Sequence, residues 1–277
     1  MRDSVPDGTA IGTLSNVNAL PRTRYRAEYH NGIVKVGASN VYFIWYGSWD
    51  GMDGSPTQQL LSELVATLGN SAYWRIATLY PDGNGSRPSG GIVYSGAAYD
   101  LVYSHGAELA PTDLDDLLTQ KILAGELPLD NRGIYVILAS ADVSSPGYAT
   151  NFCAFHKEVN IVGARVPYAF IVDPRRAPTA CAPQMLGPNG TLGADAMASL
   201  LVAELFDSIT DGYFVGSIAG YYDRLGFEPA SKCAWTYGTT YTTPNGARAN
   251  INIGGHDLLL QQLWVPSKSG GACAMHL

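Results

Sequence analysis

The chain has 277 residues, of which 46% are apolar and only 15% charged, enough to bury a sizeable core in one large domain or two. A net charge of −7 and the lack of any basic run argue against a nucleic-acid partner, whose phosphates need clustered Lys and Arg. No apolar run approaches the roughly 18 residues of a membrane-spanning helix.

Residues 1–28 have little periodicity and read as a tail or surface strap, with 29–277 as one globular domain. The opening MRDSVPDG lacks an apolar signal core, so a secreted form is expected to have lost its signal peptide. Val41 to Tyr46 is a β-branched and aromatic run that predicts a buried strand. Asp50-Gly51-Met52-Asp53-Gly54 is faintly like a calcium loop, but lacks the ordered ligands of an EF-hand and reads as a plain turn. Ser55-Pro56 opens a helix with its stripe at Leu60, Leu61, Leu64, Val65 and Leu68. Pro81 to Gly91 reads as a polar loop and Ile92 to Ala98 as a strand. A helix follows from about Thr112, with acids in its first turns. Ile134–Ala139 and Val166–Val172 predict central strands, and 213–277 short hairpins and loops. Strands alternating with helices imply an α/β fold, a mixed sheet packed by helices.

Residues 195–211 carry the most chemical content. Met197, Leu200, Leu201, Leu205 and Ile209 predict a helix with one buried face. Within it, Ala203-Glu204-Leu205-Phe206-Asp207 occupies the frame of a zinc-peptidase helix, in which two His four residues apart bind the metal and a Glu acts as base. Here Ala203 and Asp207 replace both His. Glu204, Asp207 and Asp211 fall on one stripe bordering the apolar face, which suits an amphipathic helix with acids at its margin equally well. Two further imidazoles, His156 and His256, could join Glu204 and Asp207 in a mixed His/carboxylate site for a divalent metal ion. Against this stands the hydrogen-bonded core histidine. There is no G-x-S-x-G elbow, P-loop or dinucleotide fingerprint.

Cys153, Cys181, Cys233 and Cys273 form no CxxC pair, and sequence alone allows three pairings. Their even count and two glycosylation sequons, at Asn84 and Asn189, favour disulfides and secretion. Seventeen Tyr and five Trp would suit carbohydrate platforms, or simply a core.

Several segments together resemble the EXORDIUM or phosphate-induced protein family of plants. They are Tyr29-His30-Asn31-Gly32 followed by VYFIWYG, then Ala141-Asp142-Val143 and Asn151-Phe152-Cys153-Ala154-Phe155-His156. GPNGTLGADAM at 187–197, Gly212-Tyr213-Phe214 and a Cys near the C-terminus complete the likeness. VAELFDSITDG and YYD…EPASKCAW are also similar to microbial proteins that look like zinc metallopeptidases. The resemblance implies a secreted extracellular or cell-wall protein, and a zincin-like scaffold that has lost its HExxH histidines. It also implies Cys153–Cys181 and Cys233–Cys273 links. The expected function is non-enzymatic binding of an extracellular ligand, carbohydrate or peptide. The alternative is a metallohydrolase with an altered metal site and Glu204 as general base.

Overall fold

The structure is a computed structural model describing residues 10–11, 13, 25–49, 54–212, 219–268 and 270–277. The opening MRDSVPDG, most of the Asp50–Gly54 turn and the Tyr213-Phe214 part of the family-like motif lie outside the described residues.

Strands run in chain order Ala10–Ile11 (β1), Glu28–Tyr29 (β2), Gly37–Tyr46 (β3), Pro88–Asp100 (β4), Gly133–Ala139 (β5), Ala154–Ile161 (β6), Ala164–Val172 (β7) and Tyr221–Tyr222 (β8). Helices are Gly54–Leu68 (α1), Pro111–Leu123 (α2), Pro178–Cys181 (α3) and Leu192–Thr210 (α4). Six strands form one mixed sheet in the order β1-β6-β7-β5-β3-β4. β4, β3, β5 and β7 are mutually parallel, while β6 and β1 add on antiparallel. The parallel strands read as near-continuous apolar runs because helices cover both faces. All seven residues of β5 are buried.

The chain crosses from β3 through α1 to β4, then through α2 back past β3 to β5. The carboxyl ends of these strands therefore open on one side of the sheet. In α2, Asp113 reaches back to accept the Ala110 amide at 2.7 Å, satisfying one of the helix's first donors. Most of the predicted elements are present; β6 joins the sheet as a strand that the sequence pattern does not mark, and three further differences stand out. β4 begins at Pro88, so Ser89–Gly91 belong to a strand instead of a loop. A 3-10 helix, Trp74–Leu79, carries fully buried Trp74 between buried Tyr73 and Tyr80. Part of the supposed N-terminal strap, Ala10–Ile11, pairs with Phe155 and Ala154 as a sheet strand.

Both disulfides join the pairs that the family likeness implies, Cys153–Cys181 and Cys233–Cys273. The first ties the residue just before β6 to α3, and the second ties the 231–233 turn to the last hairpin, Leu263–Ser267 with Gly270–Ala274. Closing loops of 28 and 40 residues, each removes unfolded-chain entropy of roughly 3–4 kcal/mol.

Candidate functional site

The amphipathic reading of 195–211 is corrected by the structure. Every residue of α4 from Gly193 to Thr210 is buried, so the helix has no solvent face. It lies against β6 and β7 on one side and α1 on another. Its apolar residues satisfy those surfaces. Its three acids, instead of bordering water, need partners inside the protein.

Each acid finds a different one. Glu204 Oε2 meets His156 Nδ1 of β6 at 3.0 Å, and the other ring nitrogen lies 3.4 Å from Glu228 Oε1. His156 thus bridges two carboxylates. Burial by itself would depress this imidazole, but Glu228 and Glu204 outweigh it and hold His156 well above its ordinary value. Asp207 accepts the Ala230 amide at 2.6 Å, the Ser231 amide at 3.0 Å and the Ser231 hydroxyl at 3.0 Å. Burial nevertheless pushes its carboxyl up to about 7. Asp211, at the helix end, accepts the Gly220 amide at 2.6 Å. A Cβ on Gly220 would stand 2.3 Å from the Thr210 carbonyl, so only glycine brings that amide so close.

Asp211 and Glu228 are coupled carboxyls, and burial together with neighbouring carboxylate charge favours the neutral form. Burial, followed by the Glu228 charge, pushes Asp211 up to about 8. Beyond this cluster, Lys232 Nζ and Asp223 form a fully buried ion pair at 2.6 Å, with the ammonium 4.4 Å from the Trp264 ring centre. The 219–233 segment is therefore pinned to the helix and to β6 mainly through charges.

Of the residues singled out in the sequence, Glu204, Asp207 and His156 come together. His256 does not: its Nε2 bonds Glu63 of α1 at 2.8 Å, at the surface. The proposed four-residue set is thus not assembled, and among the described residues no group of three or more His, Cys, Asp or Glu is arranged to hold a metal ion. Glu228, the second carboxylate on His156, was missed. Glu228 stands inside the quoted EPASKCAW segment, and a buried carboxyl's partners are invisible to local periodicity.

The two sequons differ. Asn84 is exposed in a turn organised by Asp82, whose Oδ1 accepts the Asn84 and Ser86 amides. Asn189 spends its side-chain amide on Asp195 at 2.6 Å and on the Asp257 carbonyl at 2.8 Å. It acts as a brace at the start of α4.

A family model described as the phosphate-induced protein 1 conserved region matches residues 27–271. The chain belongs to this family. Among similar proteins, EXORDIUM-like 5 of Arabidopsis thaliana is 27% identical, with 95% of this chain and 86% of that protein aligned. EXORDIUM-like 3 of the same plant is 27% identical over 86% of this chain and 80% of its own length. Protein PHOSPHATE-INDUCED 1 of Nicotiana tabacum is 24% identical over 76% of this chain and 72% of its own length. No solved structure matches the chain.

Proposed function

We propose that this chain is an extracellular member of the phosphate-induced family that acts by binding, and that the acids of α4 serve as a structural lock. One observation carries the reading. Glu204, the residue in the position of a peptidase base, is 1% exposed and bonded to His156. A general base must reach the proton it removes, and this carboxylate faces its own fold. Asp207, in the second ligand position, is likewise committed to the Ala230–Ser231 backbone. Ala203, in the first, packs in the core with no exposure. On this reading the zincin-like frame belongs to a catalytically silent scaffold.

Two disulfides with no free cysteine among the described residues suit an oxidising compartment. No helix among the described residues is long and apolar enough to cross a membrane.

The test is metal analysis of purified protein combined with a screen of peptide and glycan substrates for hydrolysis. The expected result is no turnover, and no difference between wild type and Glu204→Gln in the screen. Turnover that Glu204→Gln abolishes, or a stoichiometric metal released by that substitution, would establish the metallohydrolase alternative.

A further inference from the structure

Away from α4, four exposed apolar side chains gather around the carboxyl end of β4. Tyr99 is 49% exposed, Leu101 44%, Val102 83%, and Leu123 at the end of α2 64%. Such a grouping on a soluble surface calls for an explanation. Between β4 and α2 lies a cleft of about 420 Å³, within the size range of small-molecule sites. Tyr99 and Val102 supply apolar wall, and Ser104, Gln120, Lys121 and Glu126 supply polar wall.

The charges in this wall are already spent. Lys121 donates to the Tyr99 carbonyl at 2.7 Å and pairs with Glu126 at 3.1 Å. Asp100 is buried and accepts the Ser104 hydroxyl at 2.5 Å. Ser104 Oγ in turn lies 2.8 Å from His105 Nδ1, and Gln120 Nε2 lies 3.4 Å from His105 Nε2. No unpaired cation is left among the lining residues to attract an anion, and no lining carboxylate is without a donor to attract a cation. What remains is a half-exposed aromatic ring beside the Gln120 side-chain amide, which both donates and accepts, and the Ser104 hydroxyl, which has given its hydrogen to Asp100 and is left as an acceptor. An uncharged ring with one apolar C–H face and a rim of hydroxyls meets both surfaces.

We propose that this cleft binds a neutral saccharide, with Tyr99 as its stacking platform and Gln120 and Ser104 as its polar contacts. This rests on the binding reading above and gives it a ligand class and a place. The cleft lies at the carboxyl end of the edge strand β4, beside the last turns of α2.

The experiment is amide-resolved NMR titration of the intact chain with glucose, galactose, xylose and cellobiose. Galacturonate serves as the charged comparison. Saturable shifts should appear around residues 99–104 and 120–126, with roughly millimolar affinity. Tyr99→Ala should weaken binding about tenfold, while Tyr99→Phe, which keeps the ring, should not. Val102→Asp provides a second variant at a position too exposed to compromise folding. It should also weaken binding, whereas Tyr241→Ala, on a separate hairpin, should not. Absence of shifts with every sugar overturns the proposal. So do shifts mapping to another surface, tighter binding of galacturonate than of galactose, or indifference to both Tyr99→Ala and Val102→Asp. The underlying binding reading fails by a different result, substrate turnover in the hydrolysis screen.

Discussion

The buried acid cluster should make the protein more stable in mild acid than at neutral pH. Asp211 and Asp207, each 2% exposed or less, have carboxyls raised from 3.8 to about 8 and about 7. For a carboxyl raised by folding, the native state keeps a proton that the unfolded chain has released. The stabilisation is full below the unfolded value, declines as pH rises above it, and is gone once pH passes the folded value. Each extra native proton is worth about 1.4 kcal/mol per pH unit. Counting a single proton for the coupled Asp211–Glu228 pair, the step from pH 5 to pH 8 removes about 4 kcal/mol, and Asp207 removes about 3 kcal/mol more by pH 7. For a chain of this size that lowers Tm by on the order of 10 °C. His156, also raised, adds to the loss above its unfolded value. The lowered carboxyls Asp130, Asp142, Asp257 and Glu63 work in the opposite sense, but only at or below the ordinary carboxylate range. Lys35, lowered to about 8, opposes the loss only above that pH. The assay is thermal unfolding by calorimetry or circular dichroism from pH 5 to 8, for wild type and Asp211→Asn. The asparagine can accept the Gly220 amide and stays neutral at every pH, so its Tm should fall less with pH and exceed wild type at pH 8. A wild-type Tm that is flat or rises between pH 5 and 8 would refute the argument from raised buried carboxyls.

Other consequences can be measured independently. Glu204→Ala strips His156 of one of its two carboxylates and should cost about 3–5 kcal/mol in denaturant unfolding; a loss below 1 kcal/mol would show that the pair is not a lock. Glu204→Gln keeps the volume and one acceptor and should cost less than the alanine. Replacing Cys153 and Cys181 together by Ser should lower stability by about 2–5 kcal/mol, and non-reducing peptide mapping of the unmodified chain should recover 153–181 and 233–273 peptides without crossed links. In a secretory host Asn84 should carry the glycan and Asn189 should not, so Asn84→Gln should abolish the mass shift removed by endoglycosidase. A glycan on Asn189 in folded protein would contradict the Asp195 and Asp257 contacts.

How much of this was legible follows from what local sequence can encode. Val41–Tyr46, Ile134–Ala139 and Val166–Val172 announced themselves because strands buried on both faces need uninterrupted apolar runs. The stripe of α1 was equally plain, since Leu60, Leu61, Leu64, Val65 and Leu68 repeat at helical spacing. β6 was not recognised as a strand because AFHKEVNI breaks the expected alternation. Lys157 and Glu158 sit where apolar residues would mark a face, and they belong there because Lys157 reaches Asp115 and Glu158 pairs with Arg165. α4 posed the same difficulty in a sharper form. Its position was readable, but an acid on a helix is ordinarily a sign of water, and Glu204, Asp207 and Asp211 lie in the interior. Their burial is compensated by His156, 48 residues earlier, by the Ala230–Ser231 amides, more than twenty residues later, and by the Gly220 amide beyond the helix end. Compensation over such separations leaves no periodic trace. A metal site would have the same signature in sequence, convergent acids and imidazoles, and the two differ in what each carboxylate touches. Here the charges point at each other and at backbone amides, and that orientation makes the cluster a determinant of stability and pH response. The proposed saccharide binding is assigned instead to the open cleft beside Tyr99, whose lining charges are paired within the wall.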